Sequence, residues 1–175
     1  MSRLALILGS ISGAFMVFMF FGVRIVLGSD PDYDTAEWIG YASMIVALSL
    51  IFVGIKSFRD KNNNGIISFG KGVQVGIMIT LVASVIYAVG WLLYSSTMDP
   101  DFSDRYFNHQ VEQIRNSGES EAVIQERIDQ MQQFKEMYEN PFVQVAFSFI
   151  EIFPVGIIVT IICALLLKRN KPDEA

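Results

Sequence analysis

The fold of this chain is decided by an apolar stretch near its C-terminus. Residues 142–167 read FVQVAFSFIEIFPVGIIVTIICALLL, in which Glu151 is the one charged side chain. A helix of about 20 mostly apolar residues crosses a hydrocarbon layer about 30 Å thick. This stretch is longer than that minimum, so it predicts a membrane-spanning helix.

Three further stretches have the same character: residues 4–27, 38–57 and 72–96. The alternating polarity of barrel strands is absent, and irregular backbone does not cross lipid, so all four predict transmembrane helices. The first could also be a cleaved signal peptide, but its apolar run exceeds the usual length of about 7–15 residues. We therefore expect a retained anchor and an all-α integral membrane four-helix bundle, formed as a single membrane domain over residues 1–175.

The composition excludes several classes of protein. Apolar residues make up 52% of the chain and charged residues 18%, whereas soluble domains average about 25% charged. The formal net charge of −5 argues against a nucleic-acid partner and leaves the lipid bilayer as the expected surroundings. Cys163 is the single cysteine, so no intrachain disulfide can form. No catalytic or phosphate-binding motif is present, so we expect no enzyme and no cofactor.

Lysine and arginine predict the orientation of the four spans, because they concentrate on the cytoplasmic side. With both termini inside, eight basic residues lie on the inner face: Arg3, Lys56, Arg59, Lys61, Lys71, Lys168, Arg169 and Lys171. The outer face then holds five: Arg24, Arg105, Arg115, Arg127 and Lys135. The short outer loop between spans one and two is acidic, with Asp30 among its carboxylates. We therefore expect cytoplasmic N- and C-termini.

Residues 97–141 form an acidic insertion between spans three and four, predicted to lie outside the cytoplasm. It has ten acidic and four basic side chains, a formal charge of −6. Ser103 or Asp104 could cap a first helix, and Ser120 a second, which together make a helical hairpin. The second carries an apolar stripe: Val123, Ile124, Ile128, Met131, Phe134 and Tyr138. In one interpretation the two helices pack on each other, or the second helix extends span four outward. In the other, the apolar stripe docks a protein partner.

No metal site is predicted. His109 has no companion histidine or cysteine in the insertion. Residues 60–65 read DKNNNG and resemble the first half of a calcium-binding loop, but position twelve is Lys71, where a bidentate glutamate is needed. We interpret this stretch as a tight polar turn.

Span three carries small residues at intervals of four. They are Gly72, Gly76, Thr80 and Ser84. Small side chains let two helix backbones approach closely, so these residues are candidates for helix packing. Packing within the bundle is the favoured interpretation, and a homo-oligomer through span three is the other.

Glu151 is the most informative residue, because a carboxylate at membrane depth is costly and marks a function or a specific partner. Counting along the helices places Arg24, Tyr41 and Tyr87 at comparable heights. We predict that these four residues form an intramembrane polar cluster, in which Glu151 faces the bundle interior and bonds to Arg24 or a tyrosine hydroxyl. Such a cluster either fixes the packing or carries a proton or ion. The sequence therefore favours a non-enzymatic structural or partner-docking protein, with a small transporter or ion-coupled carrier as the alternative.

The middle of the chain resembles the bacterial membrane family called domain of unknown function 4199. The resemblance rests on a second span ending in GIKSFR at residues 54–59, an ISFG stretch at residues 67–70, a glycine-rich third span, and Asp99-Pro100 after it. It implies a four-span protein of the bacterial inner membrane. It implies no activity, cofactor or catalytic residue.

The orientation predicts which positions a membrane-impermeant maleimide reaches in intact cells. A cysteine placed at Ser117 is expected to be labelled, whereas cysteines at Asn63 and at the C-terminus are expected to stay protected. Labelling at Asn63 would overturn the predicted topology.

Overall fold

A computed structural model describes residues 2–28, 32–98 and 100–169. Asp30, Asp99 and Lys171, which the sequence analysis used, lie outside these residues. The described chain contains seven helices: α1 Ser2–Leu27, α2 Tyr33–Leu48, α3 Leu50–Asn62, α4 Phe69–Thr97, α5 Phe102–Arg115, α6 Glu121–Tyr138 and α7 Pro141–Leu167. No strand occurs among the described residues beyond one isolated bridge. The all-α fold is confirmed.

Four helical segments are long and apolar enough to cross a membrane. They are Ser2–Val26, Tyr33–Asn62, Phe69–Thr97 and Pro141–Leu167. Each begins one to five residues before the apolar run that predicts it. The expectation of four helices long and apolar enough to span a membrane is therefore confirmed.

The second span is interrupted at Ser49, which the sequence did not predict. The Ser49 hydroxyl donates to the carbonyl oxygen of Val46 at 2.6 Å, and the Phe52 amide donates to the Ser49 carbonyl at 3.0 Å. The second bond spans three residues instead of four, which tightens the helix locally. Beside this point the buried Ser12 hydroxyl of α1 donates to the carbonyl of Ala47 at 2.9 Å. This bond joins α1 to α2 where the second span is interrupted.

The chain divides into two compact units. One comprises Met1–Tyr87 and Ser148–Ala175, and the other comprises Ala88–Phe147. Helices α4 and α7 contribute residues to both units.

The first unit has an apolar core in which α1 packs closely against α4. Members of this core include Met16, Leu48, Ile51, Ile55, Val75, Ile79 and Ile152. A Cβ atom on Gly9 would lie 2.6 Å from Cβ of Val82, and one on Gly13 would lie 2.7 Å from Cβ of Ile86. The two glycines therefore bring α1 into direct contact with α4.

Helices α4 and α7 meet through two reciprocal pairs of glycine and threonine. A Cβ on Gly76 would lie 2.7 Å from the Thr160 hydroxyl oxygen, and a Cβ on Gly156 would lie 2.9 Å from that of Thr80. Thr80 and Thr160 are fully buried, and their hydroxyl oxygens lie 3.4 Å apart. Small residues on each helix thus receive the side chains of the other.

The remaining two small residues of span three are Gly72 and Ser84. Gly72 lies at the same contact between α4 and α7, which we call the seam, and Ser84 lies in the interior. A Cβ on Gly72 would lie 3.1 Å from Cβ of Ala164 on α7. Ser84 is fully buried. All four candidates for helix packing are thus placed inside the first unit.

The turn between α3 and α4 is tied to the end of α7. Asn64 and Gly65 both have positive φ, 52° and 78°, which forms the tight turn. Two backbone bonds then join Ile67 and Arg169, at 3.0 and 2.9 Å. Asp60 pairs with Arg59 within α3, so the stretch that resembles a calcium loop is the end of a helix followed by a turn.

The second unit contains the helical hairpin α5–α6. Phe107 of α5 is buried, with ring centroids 5.9 Å from Phe134 and 6.1 Å from Tyr138 on α6. Lys135 pairs with Asp104 at 2.6 Å, and this hydrogen bond raises the pKa of Lys135. The apolar stripe of α6 is therefore half-buried against α5, apart from Val123, which is 39% exposed.

The glycine–threonine seam predicts a sharp difference between two glycine-to-alanine substitutions. Gly156→Ala places a methyl group against the stiff, β-branched side chain of Thr80, so we expect it to lower the free energy of unfolding by about 1–3 kcal/mol. Gly40→Ala is the matched control, since its Cβ would meet nothing within 4 Å. Thermal unfolding in detergent measures both.

A second substitution makes the seam prediction falsifiable. Thr80→Ala removes the atoms that the new methyl group meets, so Gly156→Ala combined with Thr80→Ala is expected to cost less than the sum of the two single substitutions. Equal melting temperatures for Gly156→Ala and Gly40→Ala, or strict additivity in the double variant, would contradict the packing.

Candidate functional site

The candidate site centres on Glu151, which lies within the apolar length of α7. The helix has 27 residues, Pro141–Leu167. At about 1.5 Å per residue, Glu151 is about 24 Å from the Leu167 end and about 15 Å from the Pro141 end. Its backbone therefore lies inside a hydrocarbon layer about 30 Å thick.

The structure places Glu151 on the exposed face of α7. Ile150 and Ile158 on this face are 62% and 58% exposed, and Pro154 is exposed between them. The opposite face carries the buried Ser148, Ile152, Gly156 and Thr160, of which Gly156 and Thr160 meet α4. Glu151 is therefore exposed where an interior position was expected, whereas the expected bond to a tyrosine hydroxyl on another span is present. The helical repeat that turns Gly156 toward Thr80 turns Glu151 outward.

Tyr87 of α4 is the hydrogen-bond partner of Glu151. Its hydroxyl donates to Oε2 at 3.5 Å, the long limit of a hydrogen bond. The Tyr87 ring also packs against Phe20 of α1, with centroids 5.2 Å apart. The phenol is thus held between α1 and α7, and its tip reaches the carboxylate.

The other two members of the predicted cluster do not bond to Glu151. Arg24 is half-buried near the end of α1, and Tyr41 is exposed on α2. Among the described residues Glu151 has no ion pair, and its one hydrogen bond is to Tyr87. The wider cluster of four residues stays a prediction, and the structure brings together two of its members.

One feature near Glu151 was missed by the sequence analysis as part of the site. It is Glu37 on α2, an exposed carboxylate that adds negative charge near Glu151. The carbonyl of Ile150, by contrast, follows from the sequence, because Pro154 has no N–H and leaves this carbonyl without its usual donor. The acidic start of span two was the signal for Glu37.

The site is rich in hydrogen-bond acceptors and poor in donors. Glu151 presents a carboxylate and Ile150 a carbonyl, whereas Tyr87 supplies one long bond. No group of three or more metal-ligating His, Cys, Asp or Glu side chains occurs among the described residues. A cation with several N–H groups would complement these acceptors.

Comparison with protein-family models assigns the chain to a family. The family model described as "Protein of unknown function (DUF4199)" matches residues 7–169. The chain belongs to this family. The match covers the α5–α6 hairpin and all four apolar helices except the first five residues of α1, and it confirms the resemblance found in the sequence. No curated protein and no solved structure matches the chain.

Proposed function

We propose that this DUF4199 protein is a non-enzymatic membrane protein that docks a transmembrane helix of a partner protein on the exposed face of α7. The observation that carries the proposal is the position of Glu151, a carboxylate exposed on an otherwise apolar helix face. The inner membrane of a bacterium, with both termini cytoplasmic, is the proposed setting. The basic residues at one end of the spans support that orientation.

The cost of leaving this face in lipid supports a docked partner. A carboxylate at the middle of a membrane helix costs about 2.5–3.5 kcal/mol or more. An unsatisfied backbone carbonyl in hydrocarbon costs several kcal/mol as well. The carbonyl of Ile150 lies next to Glu151 in the sequence, so one donor-rich group from a neighbouring helix can serve both acceptors.

Charge complementarity identifies the chemistry of the partner. Lys or Arg carries several N–H donors and a positive charge, which matches the carboxylate of Glu151 and the freed carbonyl of Ile150. A second copy of this chain docked face to face would instead bring a second carboxylate, and Glu37 already adds negative charge nearby. We therefore propose a partner helix with a basic residue at the depth of Glu151.

The tight seam between α4 and α7 supports docking over transport. A methyl group on Gly76 or Gly156 would collide with the facing threonine. Passage of an ion between these helices would first require them to separate. The Glu151–Tyr87 contact favours the alternative of an ion-coupled carrier, because a carboxyl and a phenol can exchange a proton.

A synthetic helix tests the docking proposal directly. The protein is reconstituted in vesicles with a leucine-rich transmembrane peptide that carries one lysine at the depth of Glu151, and association is measured by energy transfer. We expect binding on the order of tenfold tighter than that of the same peptide without lysine. Glu151→Gln is expected to abolish this preference, and Ser148→Ala on the buried face is expected to retain it.

Three outcomes would contradict the proposal. Equal association of the two peptides would show that no cation is recognised. Self-association of the protein that is lost in Glu151→Gln would assign the face to a second copy. Proton or cation flux in the same vesicles that is lost in Glu151→Gln would favour the carrier.

A further inference from the structure

A second polar cluster lies at the end of the first unit where α7 stops. The Arg59 guanidinium of α3 is held by Asp60, with Nε to Oδ1 at 2.7 Å and Nη2 to Oδ2 at 3.3 Å. Its Nη1 donates to the carbonyl of Leu167 at 3.4 Å. Leu167 is the last residue of α7 and of its apolar run. The guanidinium is therefore fixed at the level where the hydrocarbon layer ends.

Two further cations converge on this pair. Lys56 precedes Asp60 by one helical turn on α3, and Arg169 follows the end of α7. Both attract the Asp60 carboxylate electrostatically. The Arg169 backbone is fixed by its two hydrogen bonds to Ile67, so its position is set by the fold. The helical repeat of α3 and the backbone bonds of Arg169 thus bring three basic residues into the neighbourhood of one carboxylate.

Among the described residues, the cluster has more positive than negative charge. Lys56 and Arg169 are exposed, and among the described residues neither side chain has a hydrogen bond or ion pair. Arg59 uses three of its five N–H groups, which leaves two free. Three positive charges and one negative charge leave about two positive charges at one point of the interface.

We propose that Lys56, Arg59 and Arg169 form a binding site for the phosphodiester of an anionic phospholipid. Guanidinium and ammonium groups are the usual partners of phosphate oxygens in proteins. The depth fits a lipid phosphate, because Arg59 sits at the end of the apolar run and Lys56, one turn deeper, extends its side chain toward the headgroups. An anionic lipid keeps its negative charge, whereas the choline of a zwitterionic lipid would meet the positive cluster unfavourably.

This site differs from a general excess of basic residues at the membrane surface. Lys71 at the same end of the unit donates to Gln74 at 2.9 Å and lies over the ring of Phe58, 5.9 Å from its centroid. Lys61 is one residue past Asp60 on α3, so the helical repeat turns it away from the face that Lys56 and Asp60 share. The two lysines therefore provide a control pair of equal charge.

The test compares two double variants of equal charge. Wild type, Lys56→Gln with Arg169→Gln, and Lys61→Gln with Lys71→Gln are placed in nanodiscs of equal parts phosphatidylglycerol and phosphatidylcholine. Lipids that remain bound after release are identified by native mass spectrometry. We expect wild type and the control pair to retain phosphatidylglycerol preferentially. The first pair is expected to lose that preference by on the order of tenfold.

One single variant and inorganic phosphate provide two further controls. Lys56→Gln removes an exposed side chain that has no bond among the described residues, so it is expected to fold normally and to weaken the preference by a smaller factor. Equal losses in the two double variants would reduce the effect to general surface charge and overturn the site. Displacement of the lipid by millimolar inorganic phosphate would assign the cluster to a soluble phosphate instead, and equal retention of both lipids would also contradict the proposal.

Discussion

The reciprocal contact between glycine and threonine on α4 and α7 is the constraint on which the rest of the first unit depends. Gly76 receives Thr160 and Gly156 receives Thr80, which fixes both the register and the rotation of the two helices. With that register set, Tyr87 of α4 arrives beside Glu151 of α7. The same rotation directs Glu151 away from the seam. The geometry of the candidate site is therefore a consequence of helix packing.

Hydropathy alone predicted the four spans and the all-α fold, because in lipid a long apolar run has few alternatives to a helix. The α5–α6 hairpin followed from a capping serine, a glycine break and a helical stripe. The interruption at Ser49 could not be predicted, since serine is ordinary within helices and the break depends on hydroxyl bonds to the backbone. The outward direction of Glu151 was equally hidden, because a hydropathy pattern does not reveal which side of an almost wholly apolar helix meets α4.

The polar groups of the first unit differ in how their hydrogen-bonding capacity is satisfied, because lipid offers no hydrogen bonds to them. Several interior hydroxyls bond to nearby backbone, as Ser12 does to Ala47 and Thr80 does to Gly76, whereas the buried Ser84 hydroxyl has no partner among the described residues. Glu151 cannot be satisfied in this way, since it lies on the exposed face with one long bond to Tyr87. Lys56 and Arg169 are exposed where the apolar run ends, so lipid headgroups can meet them. The family to which the chain belongs has no assigned function. The proposed docking is therefore based on these polar and charged groups.

The central claim is that Glu151 lies on the exposed face of α7, and the accessibility of a spin label tests it most directly. A nitroxide is attached at position 151, in a chain whose Cys163 is replaced by serine, and its collisions with oxygen and with a water-soluble nickel chelate are measured. The account predicts frequent collisions with oxygen and few with nickel, as at the exposed Ile158. A label at the buried Ser148 should collide rarely with both. Frequent nickel collisions at position 151, or infrequent collisions with both reagents, would contradict the account.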